Sequence, residues 1–99
     1  MAGKAVEIHP EALNDLTAAL AWYRDRSYTA ALNFSAEVER GILLISESPQ
    51  SWPGGAHATR KFILRRFPFA LVYREVGSGV QIVAVAHGHR RPSYWKSRL

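Results

Sequence analysis

The feature that most constrains this chain is a change of hydrophobic period across the segment PQSWPGGAHAT, residues 49–59. Before it, apolar residues recur every three or four positions; after it, they recur at every second position. A period near 3.6 belongs to a helix with one buried face, and a period of two belongs to a strand. The segment itself is rich in Pro and Gly and reads as a loop. A chain patterned in this way folds as helices first and sheet second.

Upstream, Leu13, Leu16, Leu20 and Tyr23 follow at spacings of 3, 4 and 3, and Ala31, Phe34, Val38, Ile42 and Ile45 continue the repeat. Pro10 suits a first helical position, and Glu11 and Asp15 lie near the positive end of that helix dipole. The second pattern stops at Ser48–Pro49, where the residue before proline is pushed out of the helical region. Only Ser27–Thr29 separates the two patterns, which predicts an antiparallel helix pair. Gly41, inside the second helix, costs stability there and points to a close crossing.

Downstream, RKFILRR, FALVYRE and VQIVAVA read as three strands with turns at Phe67–Pro68 and Gly77–Gly79. A short run, AVEI at 5–8, alternates as an edge strand does. The order β-α-α-β-β-β predicts an α+β domain spanning 1–99, an antiparallel sheet with a helical hairpin packed on one face. Even-length turns would place Phe62, Leu64, Phe69, Leu71, Tyr73, Ile82 and Ala84 together against the helices. Lys61, Ile63, Arg65, Ala70, Val72, Arg74, Gln81, Val83, Val85 and His87 would then share the opposite face. That face has an apolar middle and a basic margin, as an open binding surface would.

Charge divides the chain at the same place. Residues 1–59 carry four Lys/Arg and seven Asp/Glu, a balance of −3, whereas residues 60–99 carry nine Lys/Arg and one acid, Glu75, a balance of +8. The basic half is either a solvated face or a surface for an anionic partner, nucleic acid or an acidic protein segment. No cysteine is present, which excludes disulfides and thiolate zinc sites. The first residues lack the apolar stretch of a secretion signal, and no run reaches transmembrane length. A cytoplasmic protein that makes no membrane contact is expected.

Chemistry-bearing residues crowd into HGHRRPSYW, His87–Trp95. His87 and His89 are spaced to lie on one side of a continuing strand, but two histidines without further ligands nearby do not make a metal site. No metal and no cofactor is therefore expected. Histidine suits proton transfer near neutrality, and arginine suits stabilisation of a charged phosphorane, so RNA cleavage is one reading of the cluster. The other is that the histidines merely end a strand beside solvated arginines. Tyr94 and Trp95 are expected mainly to pack, folding back over Ile63, Val72, Val83 and Val85, because an indole needs somewhere to bury its ring. There is no phosphate-binding loop, dinucleotide fingerprint, nucleophile elbow or H-E-x-x-H motif.

Three segments resemble the RelE/ParE toxin superfamily of bacterial type II toxin–antitoxin systems. They are A-x-x-D-L-x-x-A-x-x-W-Y (Ala12 to Tyr23), R-K-F-x-L-x-R-F-P-F-x-L-x-Y (Arg60 to Tyr73) and V-A-H-x-x-R-R-P-x-Y-W (Val85 to Trp95). The resemblance spans nearly the whole chain and implies the same element order. It also implies a growth-inhibiting toxin, encoded for plasmid stabilization in some systems and neutralised by a cognate antitoxin wrapped across it.

RelE-like members cut mRNA on the ribosome with basic residues of the open face and a C-terminal tyrosine. ParE-like members poison DNA gyrase without that set. Carried over by position, one basic strand residue matches Lys61, but a second falls at Ile63 and an arginine falls at Ala70. A further arginine falls near His89 or Arg90, and the tyrosine near Tyr94 or Trp95. This departure favours a ParE-like toxin. The alternatives are an mRNA endoribonuclease using His87, His89 and Tyr94, or an inactive homologue that only binds its antitoxin. Lys61, Arg65, Arg74, Arg90 and Arg91 are the expected anion or partner contacts. Ile63, Val72, Val83 and Val85 are the expected apolar stripe for the antitoxin.

Overall fold

The computed structural model describes residues 3–99. Its elements are β1 (Val6–Ile8), α1 (Pro10–Arg26), α2 (Tyr28–Glu47), β2 (Arg60–Ile63), β3 (Phe69–Val76) and β4 (Gly79–His87), with short 3-10 turns at Ala56–Ala58 and Lys96–Arg98. The four strands form one sheet in the order β1-β4-β3-β2. The three later strands are an antiparallel meander, as their alternation predicts, and β1 lies parallel to β4. A parallel neighbour needs a long crossover, and the helical pair supplies it.

Each helix boundary has a local cause. At α1, Pro10 occupies the first turn and the His9 Nδ1 accepts the Glu11 N–H at 3.0 Å. Ser27 alone joins the helices: its N–H donates to the Tyr23 carbonyl at 2.7 Å, and its Oγ accepts the Ala30 N–H at 3.2 Å. Tyr28 and Thr29, expected in the link, begin α2 instead. The α2 helix ends at Ser48, just before Pro49, as the sequence predicts.

The buried face of α1 differs from the expected one. Leu13 is half exposed, and the buried positions are Ala12 and Ala19, with Leu16, Leu20 and Tyr23 packed beside them. Small side chains let α1 lie close to β4, which turns Leu13 outward. Gly41 does mark a close approach, of α2 to the sheet. A Cβ there would stand 2.8 Å from Leu71 Cδ1 and 3.0 Å from Phe62 Cε1. Phe34, Ile45, Leu71, Tyr73 and Ile82 are buried between helices and sheet. Tyr73 satisfies its hydroxyl by donating to the Pro49 carbonyl at 2.6 Å, and burial raises its pKa to about 12.

The register of β3 on β4 changes partway. Near the turn, Tyr73 faces Ile82 and Arg74 faces Gln81; beyond it, Val72 faces Ala84 and Leu71 faces Val85. Val83 is the extra residue of a β-bulge, and one unpaired residue reverses which way every later side chain points. The even register therefore holds for the first half of β4 and fails for the second. Ala84, expected against the helices, joins Val72 and Val83 on the opposite face. Val85, expected on the open face, lies in the helix-side core, and His87 follows it to that side, its ring 5.0 Å from Phe69.

Candidate functional site

The basic half of the chain ends in a strap, residues 90–99, that turns back across the sheet. The turn is fixed by the Gly88 N–H donating to Pro68 (2.8 Å) and the Arg90 N–H donating to His87 (3.0 Å). Ser93 takes the left-handed conformation, φ 57°, which bends the strap downward after Pro92. Trp95 then buries its ring on Val72, Val83 and Ala84, leaving only 3% of its surface exposed.

One carboxylate holds the strap in place. Asp15 of α1 accepts from Arg98 Nη1 at 2.7 Å and Nη2 at 3.2 Å, from the Tyr94 hydroxyl at 3.1 Å and from the Val85 N–H at 3.1 Å. Arg98 Nη1 also donates to the Val83 carbonyl at 3.0 Å. The strand β1 covers β4 only from Val80 to Ile82. Asp15 and Arg98 thus take over where β1 stops, satisfying edge groups that would otherwise stand open. Burial, then the charge of Asp15 and its hydrogen bond, raises the Tyr94 pKa to about 12. The hydrogen bond to Asp15 likewise raises the pKa of Arg98. Arg90 stacks over the Tyr94 ring at 3.7 Å, so its orientation follows from that of the tyrosine.

Between strap and sheet runs a cleft of about 360 Å³, lined by Lys61, Ile63, Arg90, Arg91, Tyr94 and Trp95 among others. Lys61, Arg90 and Arg91 are exposed there. His87 stands at the end of β4 and borders both this cleft and a groove beside α1. Its Nδ1 accepts the His89 N–H at 3.0 Å, and the two rings lie 5.2 Å apart. The hydroxyl of Tyr94 donates to Asp15, which borders the groove beside α1 together with His87.

The remaining expected residues are dispersed. Arg65 is exposed beyond β2, borders a different cleft and gives its backbone N–H to Glu37 at 3.1 Å. Arg74 is tied to Gln81 at 2.9 Å, near the β3–β4 turn. The apolar stripe is also revised. Val72 and Val83 are fully buried under Trp95 and Val85 faces the helices, so only Ile63, 73% exposed, remains open. The bulge moved Val85, and the chain covers the rest with its own tryptophan. Among the described residues, no group of three or more His, Cys, Asp or Glu side chains is arranged to hold a metal ion.

Two residues of this site, Asp15 and Arg98, have no counterpart among the sequence candidates. Asp15 read as a helix-surface acid favoured by the dipole. The available signal was its place in the A-x-x-D-L segment, between positions that the fold buries.

A helical pair on a four-stranded sheet, closed by a basic C-terminal strap, defines a class of small two-layer α+β domains. The model of the "ParE toxin of type II toxin-antitoxin system, parDE" family matches residues 6–92, and the chain belongs to that family. Among solved structures, a chain of the chromosomal ParDE TA system from P. aeruginosa has the same fold at a TM-score of 0.75 and 19% identity, over 85% of this chain and 95% of that one. No curated protein sequence matches. No helix among the described residues is long and apolar enough to cross a membrane.

Proposed function

We propose that this chain is the toxin of a two-protein system, restrained by a cognate antitoxin, and that it acts by binding DNA gyrase rather than by cutting RNA. One observation carries this reading: the hydroxyl of Tyr94 is spent on Asp15. A general acid or base must be able to give up or take the proton it moves, and this hydroxyl, hydrogen-bonded to a carboxylate with its pKa raised to about 12, holds its proton. Ile63 and Ala70 also stand where a nuclease of the superfamily is expected to present cations, so the cleft is short of charge for a phosphorane. A binding mechanism needs neither.

A protein partner is further supported by the apolar surface left on the helical pair. Leu13, Trp22, Tyr28 and Leu32 are each at least half exposed, and exposed apolar side chains in such number on the helical pair suit a partner's apolar face. The ribosome-dependent nuclease stays as a second reading because His87 and His89 adjoin each other at the rim of a cationic cleft.

Growth arrest by His87→Ala, His89→Ala and Tyr94→Phe variants separates the two. Full toxicity in all three fits a binding mechanism. Loss of toxicity in the histidine variants, with folding intact, favours the nuclease. An inactive homologue would arrest growth in no form, the parent included.

A further inference from the structure

A second cleft, of about 610 Å³, adjoins the strap groove along β2 and shares Lys61, Ile63 and Trp95 with it. Its charged lining residues are Arg40 of α2, Lys61 of β2 and Arg65 just beyond β2; the Glu37 carboxylate accepts the Arg65 backbone N–H at 3.1 Å and is not part of the lining. Among the described residues, the single ion pair is Asp15–Arg98, so none of these three side chains is in an ion pair. Arg40 is half-buried, where an unpaired guanidinium costs more than it does in open water. Much of the remaining wall is apolar, with Trp52, Phe62 and Trp95 contributing rings. The Trp52 indole N–H is itself buried without an acceptor. At the rim, Gly54 offers bare backbone, and a Cβ there would meet nothing within 4 Å.

Size and chemistry together restrict the occupant. Clefts of roughly 300–1,000 Å³ take small molecules, and an apolar wall with a few convergent polar groups is their usual form. Here the charged groups are all cationic donors and the wall is aromatic. We propose that this cleft binds a phosphate-bearing planar molecule, a mononucleotide or the end of a nucleic-acid strand, with its phosphate on Arg40, Lys61 and Arg65 and its base against Trp52. The site does not depend on the gyrase reading, since it needs neither the histidines nor Tyr94, although it shares Lys61 and Trp95 with the strap groove.

The test is a titration of the full chain, following the Trp52 indole N–H by NMR, with AMP, adenosine, inorganic phosphate and a short oligothymidylate as separate probes. AMP is expected to shift that resonance, and adenosine to do so far more weakly. Arg40→Gln should weaken AMP binding about tenfold, the equivalent of one charge-assisted contact, and Arg65→Gln, at an exposed position, should weaken it without disturbing the fold. Arg24→Gln, on the surface of α1, should leave it unchanged. Tighter binding of the oligonucleotide than of AMP would assign the site to a strand end, and the reverse to a free nucleotide. An unmoved Trp52 signal at millimolar AMP, or binding by both cleft variants as tight as the parent's, would overturn the proposal. So would binding of an acidic peptide in place of AMP.

Discussion

The Asp15 carboxylate and the Arg98 guanidinium, 83 residues apart in sequence, meet in a two-pronged ion pair with N–O distances of 2.7 and 3.2 Å. Both side chains are only 12% exposed. The pair joins the first helix to the end of the chain and closes the part of the β4 edge that β1 is too short to cover. Arg90 and Arg91 precede this anchorage, and Arg90 is held by the tyrosine that Asp15 orients. The cationic cleft therefore depends on a carboxylate outside it.

Asp15→Ala should destabilise the fold by about 2–4 kcal/mol, because it leaves a largely buried guanidinium, a hydroxyl and a backbone N–H without their acceptor. Arg98→Ala should cost less than the sum implies when combined with it, since the two share one interaction. Urea denaturation of the two single variants and the double variant measures the coupling. Strictly additive losses would mean that the pair contributes nothing as a pair.

Alkaline pH should loosen the strap. Tyr94 titrates near pH 10 when unfolded and at about 12 when folded. A raised folded pKa stabilises the native state fully below pH 10, and that contribution is lost as pH rises from 10 through 12. Tyr73 acts in the same direction. Stability measured across this window should fall, and Tyr94→Phe should fall less steeply than the parent. A parallel decline in both proteins would contradict the assignment.

Trp95→Ala should cost about 3–5 kcal/mol, as other large core aromatics do, and should expose Val72 and Val83. Hydrogen exchange would then rise in residues 90–99 before it rises in the meander. Uniform exchange throughout the molecule would show that the strap is not a separable layer.

The helical half of the fold was legible because its signals are local. Pro10 and Ser48–Pro49 mark boundaries, and apolar spacing marks the faces, although Ala12 and Ala19 took the place of Leu13 at the tightest contact. In the sheet, the β2–β3 register followed from alternation, with Lys61 opposite Val72. The second half of β4 was misread because the bulge falls at Val83, where neither glycine nor proline announces it. Val85 and His87 changed sides for that reason alone. The packing of Trp95 was readable from chemistry, since a large ring beside an apolar stripe buries itself. Asp15 with Arg98 was not, because periodicity carries no information about contacts between the two ends of a chain.

Gly41→Ala tests the close approach of α2 to the sheet. Alanine gains up to about 1 kcal/mol of helix propensity, but its Cβ would stand 2.8 Å from Leu71 Cδ1 and 3.0 Å from Phe62 Cε1, two buried side chains that would both have to shift. Overpacking of this kind costs about 1–3 kcal/mol, so the net effect should be destabilising. A variant more stable than the parent would show that the sheet yields at this crossing.

The most direct measurement for the functional account is a supercoiling and cleavage-complex assay with purified DNA gyrase and antitoxin-free protein, run beside a His87→Ala, His89→Ala double variant. The account predicts trapped, cleaved DNA with both proteins at similar concentrations. Unaffected gyrase, from protein that still arrests growth and loses that ability when the histidines are removed, would contradict it and place the target at the ribosome.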